Sequence, residues 1–401
     1  MKTILLVPTE IGVGLTSACL GLIYALECQG VKAGFLKPFS QELQPEADRT
    51  TALYRHLFKH ETVEPIAYST LTERLKNDEN DELLEDAVRL HREISKHHDV
   101  IIVEGVLPNG RDPFATELNA NLAKALDAKV IIVSNADINN AVKTASKVDN
   151  QLRFFGGATC ERTAGVLFMR TKGLPEDSAQ IPVTLDPNLR LISDTNQFVS
   201  KIQTTHPMIG KDCMPVIGLV PFSNTLSVPR MSDLAAHISA EWINQGEAAQ
   251  RRVLHSSLIA SNIEHEMHKF VAGELIISGS DRVDVLLASS LASSNGIPLA
   301  GLVLTEHQAP SAQALEFCQA AMKNGLPILH TKLSTFETAQ QLLNLSNEIP
   351  VDDTERAEQV TRFVASHINE EWLTQLISDT HKQRLSNSAL RHELVQKSIA
   401  A

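Results

Sequence analysis

A chain of 401 residues predicts two or three domains. At 43% hydrophobic but only 4% aromatic, its cores must be built from Ala, Val, Ile and Leu, which suits α/β layers better than a β-sandwich. A formal net charge of −12 argues against nucleic acid or an anionic membrane as the main partner and leaves room for a local anion site.

The chain opens with an apolar strand, Thr3 to Val7. Pro8-Thr9-Glu10-Ile11-Gly12-Val13-Gly14-Leu15-Thr16-Ser17 follows, then a helical pattern with Leu20, Ile23 and Leu26 that stops at Gly30. Strand, glycine loop and helix form the setting of a phosphate-binding loop. There, backbone N–H groups cradle phosphate, a lysine neutralises it and a hydroxyl holds Mg²⁺. Gly14 and Thr16 keep two diagnostic positions, but Thr9 stands for the first glycine and Leu15 for the lysine. The missing charge-assisted contact is worth about 1.5–3 kcal/mol in binding, and more where charge develops in a transition state. For these ten residues alone, an ordinary βα turn is the alternative.

Further apolar runs read as buried parallel strands at Gly34–Leu36, Val100–Val103, Val130–Val133, Gly165–Met169 and Val216–Val220. Helical stretches such as Asp81–Lys96 and Glu117–Leu126 lie between them. Near-continuous Val/Ile/Leu strands imply that both sheet faces are covered. The expectation is a doubly wound sheet with its ligand beyond the strand C-termini. Lys37 follows the second strand, where it faces that crevice and can replace the missing loop charge. Glu104 ends Ile101-Ile102-Val103-Glu104, where a Mg²⁺ ligand belongs. A solvated lysine and a helix-capping acid are the respective alternatives.

Lys172 to Pro215 reads as an irregular excursion. A second α/β unit begins near Met231, with strands at Glu274–Ser278, Gly301–Thr305 and Pro327–His330. Asp281 is expected to cap a helix running to Ser294 and closed by Asn295-Gly296. Ser334-x-x-Glu337 is a capping box. Ser280, Asp281, Arg282 and Asp284 form a candidate anion nest between strand and helix; a structural turn with Arg282 paired to Asp284 is the alternative. His265 and His268 lie three apart with no third ligand at usable spacing and read as a solvated face. After Pro350, Val360, Phe363, Val364, Ile368, Trp372 and Leu376 predict one long amphipathic helix. Its apolar stripe must pack on its own domains or on another subunit, and its position favours assembly. From Thr380 onward, Lys382, Arg384, Arg391 and His392 mark a linker or docking tail.

Cys19, Cys28, Cys160, Cys213 and Cys318 show no zinc spacing and suggest reduced thiols in a cytoplasmic protein. Ile4 to Val7 is too short for a signal peptide, and no run approaches a membrane span.

Taken in order, these motifs resemble one family. Pro8-Thr9…Gly14-Leu15-Thr16-Ser17, Phe35-Leu36-Lys37-Pro38 and Val103-Glu104-Gly105 resemble the N-terminal region of long-form bacterial phosphate acetyltransferases. Gly218-Leu219-Val220-Pro221 closes that first domain. Ser280-Asp281-Arg282-Val283-Asp284-Val285-Leu286-Leu287-Ala288 is similar to the core motif of a DRTGG domain. Pro350-Val351-Asp352-Asp353-x-Glu355-Arg356 and Arg384-Leu385-Ser386 resemble the segment leading into the acyltransferase domain. The resemblance implies an α/β fold. Residues 1–230 would be a degenerate P-loop domain of dethiobiotin-synthetase type, 231–348 a smaller α/β DRTGG domain and 349–401 a helical linker.

Against the active synthetase pattern, Pro8 stands at the first glycine and Leu15 at the catalytic lysine. Thr16 and Glu104 match the Mg²⁺-associated positions, and Lys37 matches a substrate-side lysine. Val106-Leu107-Pro108 and Met169-Arg170 replace the residues after Glu104-Gly105 and the base-reading asparagine. In the second domain, Thr305-Glu306-His307 replaces Thr-Gly-Gly.

The family interconverts acetyl-CoA plus phosphate with acetyl phosphate plus CoA, through a C-terminal domain that would begin about where this sequence stops. The resemblance therefore implies a regulatory and oligomerisation region without its own catalysis and requiring no cofactor. Its regulatory ligand would be a nucleotide or metabolite anion at Thr9, Gly12, Gly14, Thr16, Ser17, Lys37 and Glu104. Its partners would be its own acyltransferase domain and further copies of itself, with no nucleic acid and no membrane. The alternative is an ATP-dependent carboxylate ligase or amidotransferase-like synthetase with an atypical P-loop, which would need Lys37 or Arg170 as its phosphate cation.

Overall fold

The computed structural model describes residues 1–42, 48–108, 114–157, 161–172, 196–204, 206–211, 214–306, 308–345 and 348–380. The expected irregular excursion lies largely outside these residues, although 196–203 is a helix. The basic tail beyond Thr380, Cys160 and Cys213 also lie outside them. The chain forms two compact units: Met1–Ser223 together with the segment from Val351 onward, and Asn224–Pro350. The second is thus inserted within the first. No helix among the described residues is long and apolar enough to cross a membrane.

The first unit is built on six parallel strands: β1 (Lys2–Pro8), β2 (Ala33–Leu36), β3 (Val100–Glu104), β4 (Lys129–Asp137), β5 (Thr163–Lys172) and β6 (Val216–Pro221). Their order is β2-β3-β1-β4-β5-β6. Ile4, Leu5, Leu6 and Val7 are all buried, as a strand covered on both faces requires. Chain order runs to one side of β1 for β2 and β3 and to the other for β4 to β6. This reversal is the switch point where a doubly wound sheet opens a crevice. Leu6 pairs with both Glu104 and Ile131, so the C-terminal ends of β1 and β3 lie level. Around the sheet run α1 (Leu15–Cys28), α2 (Arg49–Phe58), α3 (Tyr68–Lys76), α4 (Asn80–Ser95), α5 (Ala115–Ala125), α6 (Ala141–Leu152) and α7 (196–203).

The second unit holds a five-stranded sheet of β7 (Glu241–Asn244), β8 (His255–Leu258), β9 (Glu274–Gly279), β10 (Gly301–Thr305) and β11 (Ile328–Thr331), in the order β7-β11-β10-β9-β8. Alternation along the strands divides its core. Ile276, Leu302, Leu304 and Ile328 face α9 (Ile263–Glu266), α10 (Val283–Ser294), α11 (Ala312–Phe317) and α12 (Gln319–Lys323). Leu275, Ile277, Val303 and Leu329 face α8 (Met231–His237) and α13 (Thr335–Leu343). The Ser334–Glu337 capping box forms as expected. The start of α10 differs from expectation: Arg282 rather than Asp281 is its N-cap, and no side chain bonds the helix end.

The expected single C-terminal helix is two helices. α14 (Thr354–Ala365) stops before His367, and a helix over 370–380, α15, follows. Between them the chain turns at 366–367 and leaves the helix at 368–369. Ile368 bridges Gly218 on β6, and the Asn369 N–H donates to the Ile217 carbonyl at 2.7 Å. The edge of β6 is thereby covered. Gly218 permits this approach, since a Cβ there would lie 2.6 Å from the His367 carbonyl oxygen. Gly21 does the same on α1, where a Cβ would meet Val364 Cγ1 at 2.4 Å. Val364 and Ile368 are buried, and Val360, Phe363 and Trp372 are half-buried. The apolar stripe packs on the first unit itself, because Gly21 and Gly218 vacate the space for it.

Candidate functional site

The loop after β1 is tied down at one end and open at the other. The Thr9 N–H donates to the Val133 carbonyl at 2.9 Å and its hydroxyl to Ser134 Oγ at 3.1 Å, fixing the loop to β4. Glu10 is paired with Lys147 on α6. Gly12 and Gly14 both adopt positive φ, +75° and +82°, where L side chains are strained. Gly14 is the N-cap of α1, and no side chain caps the helix. Its first-turn amides are therefore left to whatever enters the crevice. Leu15 is buried at 4% exposure, so the lysine position is filled by core. Thr16 and Ser17 are half-buried in the first turn.

The opposite wall is a buried charge cluster. Lys37 Nζ lies 2.7 Å from Asp48 Oδ2 and 3.6 Å from Glu104 Oε1. Asp48 is the N-cap of α2 and accepts from the Thr51 N–H (3.1 Å), the Thr51 hydroxyl (3.2 Å) and the Ser40 hydroxyl (3.0 Å). The Thr50 hydroxyl donates to Glu104 Oε1 at 3.3 Å and lies 3.2 Å from the Thr16 hydroxyl, which joins α1 to the cluster. Thr16, Lys37 and Glu104 are thus brought together as the sequence anticipates. Asp48 and Thr50, which complete the cluster, carried no site signal. Asp48 ahead of Thr51 reads only as a helix cap.

Burial works against every charge here. It pulls on the Lys37 ammonium, yet the Glu104 and Asp48 carboxylates hold it above the usual lysine range. Burial also opposes ionised Asp48, but the Lys37 charge and the hydrogen bonds from Lys37, Thr51 and Ser40 keep its carboxyl below the usual range. Glu104 moves the other way: burial lifts its carboxyl, and the Lys37 attraction does not cancel this with the Asp48 charge nearby. Glu104 Oε2 is buried with no partner among the described residues.

Beyond Glu104, Gly105 is required by close approach, since a Cβ would lie 2.7 Å from the Leu6 carbonyl oxygen. Asn119 holds Val106 by paired bonds of 2.8 Å to its N–H and carbonyl. Gln41 holds Leu107 in the same way at 2.7 and 3.0 Å. Two side-chain amides thus pin a backbone stretch where the synthetase pattern has small residues. On the far side of the loop, the Met169 methyl lies 3.5 Å from where a Gly14 Cβ would stand. Arg170 has φ +49°, and its guanidinium sits 5.2 Å from the Phe222 ring centroid. It has no ion pair among the described residues, and burial holds it below the usual arginine range.

In the second unit, the Ser280 hydroxyl donates to the Glu306 carbonyl at 3.0 Å. Arg282 is bidentate to Asp284, at 2.9 and 2.8 Å, and also donates to the Ser261 carbonyl at 3.0 Å. The Asp281 side chain packs toward Gly279. Among the described residues no group of three His, Cys, Asp or Glu side chains is arranged to hold a metal.

A six-stranded parallel sheet with a glycine loop at its switch point, followed by a second α/β unit, defines a P-loop-type domain joined to a smaller α/β domain. The chain belongs to the AAA domain family, which it matches over residues 2–230, and it matches the DRTGG domain over 233–345. Across its whole length it is 64% identical to the phosphate acetyltransferase of Acinetobacter baylyi and 36% identical to that of Pseudomonas aeruginosa. Over 98% of its length it is 32% identical to the phosphate acetyltransferase of Escherichia coli. The chain spans 56% of the length of each of these relatives.

Proposed function

We propose that the chain is the N-terminal regulatory and assembly region of a phosphate acetyltransferase of acetate metabolism, and that acetyl transfer between CoA and phosphate takes place on a part of the protein outside these residues. In this reading the glycine loop is a retained anion cradle that binds without turnover. The observation that carries it is how the cations around the loop are used. Leu15 is core, and Lys37 is held by Asp48 and Glu104. Neither position can neutralise phosphate charge as it develops, and Arg170, the other cation a ligase would need, is drawn over the Phe222 ring. Losing one such contact removes about 3–4 kcal/mol of transition-state stabilisation, a factor of roughly 10² to 10³.

The ligand is a nucleotide or metabolite anion on the amides from Gly12 to Ser17, with Thr9, Lys37 and Glu104 shaping the pocket. If Mg²⁺ accompanies it, Glu104 Oε2 supplies a free oxygen, and Thr16 would exchange its contact with Thr50 for the metal. The protein is cytoplasmic and a homo-oligomer in this reading.

The test uses the purified chain. It is expected to form no acetyl phosphate from acetyl-CoA and phosphate and to release no phosphate steadily from ATP. One of ATP, NADH, pyruvate or phosphate is expected to raise its melting temperature. Acetyl phosphate above background overturns the reading, as does ATP hydrolysis that disappears in Thr16→Ala.

A further inference from the structure

Glu104 is a buried carboxylate with only one oxygen satisfied. Its Oε1 accepts from the Thr50 hydroxyl at 3.3 Å and lies 3.6 Å from Lys37 Nζ. Its Oε2 bonds nothing among the described residues, although the residue is only 5% exposed. A buried carboxylate oxygen without a partner is costly, so it marks a place where a hydrogen-bond donor belongs. That place is the start of α1. Glu104 pairs with Leu6, two residues before the end of β1. Its carboxylate also lies close enough to the Thr16 hydroxyl, in the first turn of α1, to be held down by it. Two features with opposite needs therefore meet. The uncapped amides of α1 attract an anion. The oxygen beside them needs a donor and repels an anion. The nearby cations do not remove the conflict. Lys37 is closer to Asp48, at 2.7 Å, and Arg49, which also acts on Glu104, lies 3.9 Å from Glu42.

We propose that the crevice selects an anion that still carries a proton, inorganic phosphate, with its P–O–H donated to Glu104 Oε2 and its other oxygens on the first-turn amides of α1. The inference rests on the anion-cradle reading above and narrows its ligand. One molecule then meets both needs, because hydrogen phosphate is an anion and a donor at once. To reach Oε2 it parts the Thr16 and Thr50 hydroxyls, which lie 3.2 Å apart. Glu104 thereby becomes a specificity residue. Sulfate has the same size and shape but no proton near neutral pH, so it sets lone pairs against the carboxylate. A phosphate monoester, the terminal group of a nucleotide included, loses its last proton near a pH of about 6 and fails in the same way. Mg²⁺ is the rival partner for Oε2, and the test removes it.

Titration calorimetry of the whole chain at a pH of about 8, with EDTA present, tests this using phosphate, sulfate and methyl phosphate. Phosphate is expected to bind, and the other two to bind roughly 10- to 100-fold more weakly, as a charged hydrogen bond gained or lost implies. Glu104→Gln offers an amide N–H to either anion and should bring sulfate to within about threefold of phosphate, a hydrogen bond being regained. Because that variant can fail to fold, the wild type also decides: phosphate, and not sulfate, should shift the amide resonances of Gly12 to Ser17. Equal binding of phosphate and sulfate by the wild type, or phosphate binding only when Mg²⁺ replaces EDTA, overturns the proposal and keeps the anion cradle. So does a chain that ignores phosphate while ATP, NADH or pyruvate raises its melting temperature. A chain that binds none of these anions overturns both.

Discussion

The two α/β units finish their parallel strands in opposite ways. In the first, the crevice end holds a buried lysine and two buried carboxylates, and the helix beside them starts at a glycine with no cap. In the second, the strand ends are neutral hydroxyls. Thr305 donates to the Ser278 carbonyl at 3.2 Å and lies 2.7 Å from the Thr335 hydroxyl. The start of α13 is closed twice, by the Ser334 capping box and by Glu306, whose carboxylate accepts from the Thr335 N–H at 3.2 Å. Glu306 adopts φ +58° to reach it, at a position where the DRTGG pattern has glycine. The second unit thus supplies an anion to its own helix from within the chain, while the first leaves α1 unsatisfied. In the proposed reading, the first of the two crevices is the one left to an external anion.

The largest effect that would sharpen this contrast comes from Lys37. Lys37→Met leaves Asp48 and Glu104 buried without their cation, and breaking a buried pair from one side costs about 3–5 kcal/mol. The chain has two tryptophans, Trp242 in the second unit and Trp372 in the first. Denaturant unfolding followed in Trp242→Phe reports the first unit, and in Trp372→Phe the second. The loss is expected in the Trp372 signal alone. An equal loss at Trp242 would mean that the cluster does not belong to one unit's stability. A loss under about 1 kcal/mol would mean that the carboxylates are solvated or protonated, as exposed pairs behave.

A smaller effect probes the other side. Ser334→Ala removes a cap worth typically about 1 kcal/mol. Glu306 remains to satisfy the first amide of α13, so the expected cost lies at the low end, about 0.5 kcal/mol, in the Trp242 signal. Glu306→Gln added to it should cost more than the two single changes together, because both hold the same first turn of α13, through the Glu337 and Thr335 amides. Additive costs would break the idea of a doubly closed helix.

The same contrast explains what the sequence could convey. The first sheet was readable because its strands are buried on both faces, so Ile4–Val7 and Val130–Val133 are uninterrupted apolar runs. β7 and β8 are four-residue edge strands, Glu-Trp-Ile-Asn and His-Ser-Ser-Leu, half-exposed and without a pattern that distinguishes them from loop. The break at His367 was hidden because Ile368 keeps the helical spacing while its backbone serves β6. At the site, Lys37 and Glu104 were readable from strand ends. Their ion pairing was not, since it depends on Asp48, a residue whose local signature is that of a cap. Glu306 was visible only as a departure from glycine. That its carboxylate bonds the first amide of α13 is a matter of three-dimensional reach.

A last expected effect is a dependence on pH, and it separates the two carboxylates of the cluster. Glu104 has its folded carboxyl raised above the ordinary range by burial. The folded state therefore holds this proton more tightly than the unfolded state does. The stability it contributes is complete below the unfolded value, about 4.3, and is lost as pH rises through the folded one. Asp48 is lowered, because Lys37 and its hydrogen bonds overcome burial. Its contribution is present above about 3.9 and is lost as pH falls through the folded value. Of these two carboxylates only Glu104 changes above about pH 4.5, with a slope of at most about 1.4 kcal/mol per pH unit. Glu104→Gln removes that slope. Measured at Trp372 in the Trp242→Phe background, its stability relative to the parent should rise from pH 4.5 toward 7. Asp48→Asn should instead fall relative to the parent from pH 2.5 to 4.5 and change little above. If the Glu104→Gln difference is flat with pH, the buried carboxyl is not raised, and Glu104 Oε2 has a partner in solution. If it falls, Lys37 belongs to Glu104 rather than to Asp48. The cation then sits nearer the loop, where it could meet phosphate after all.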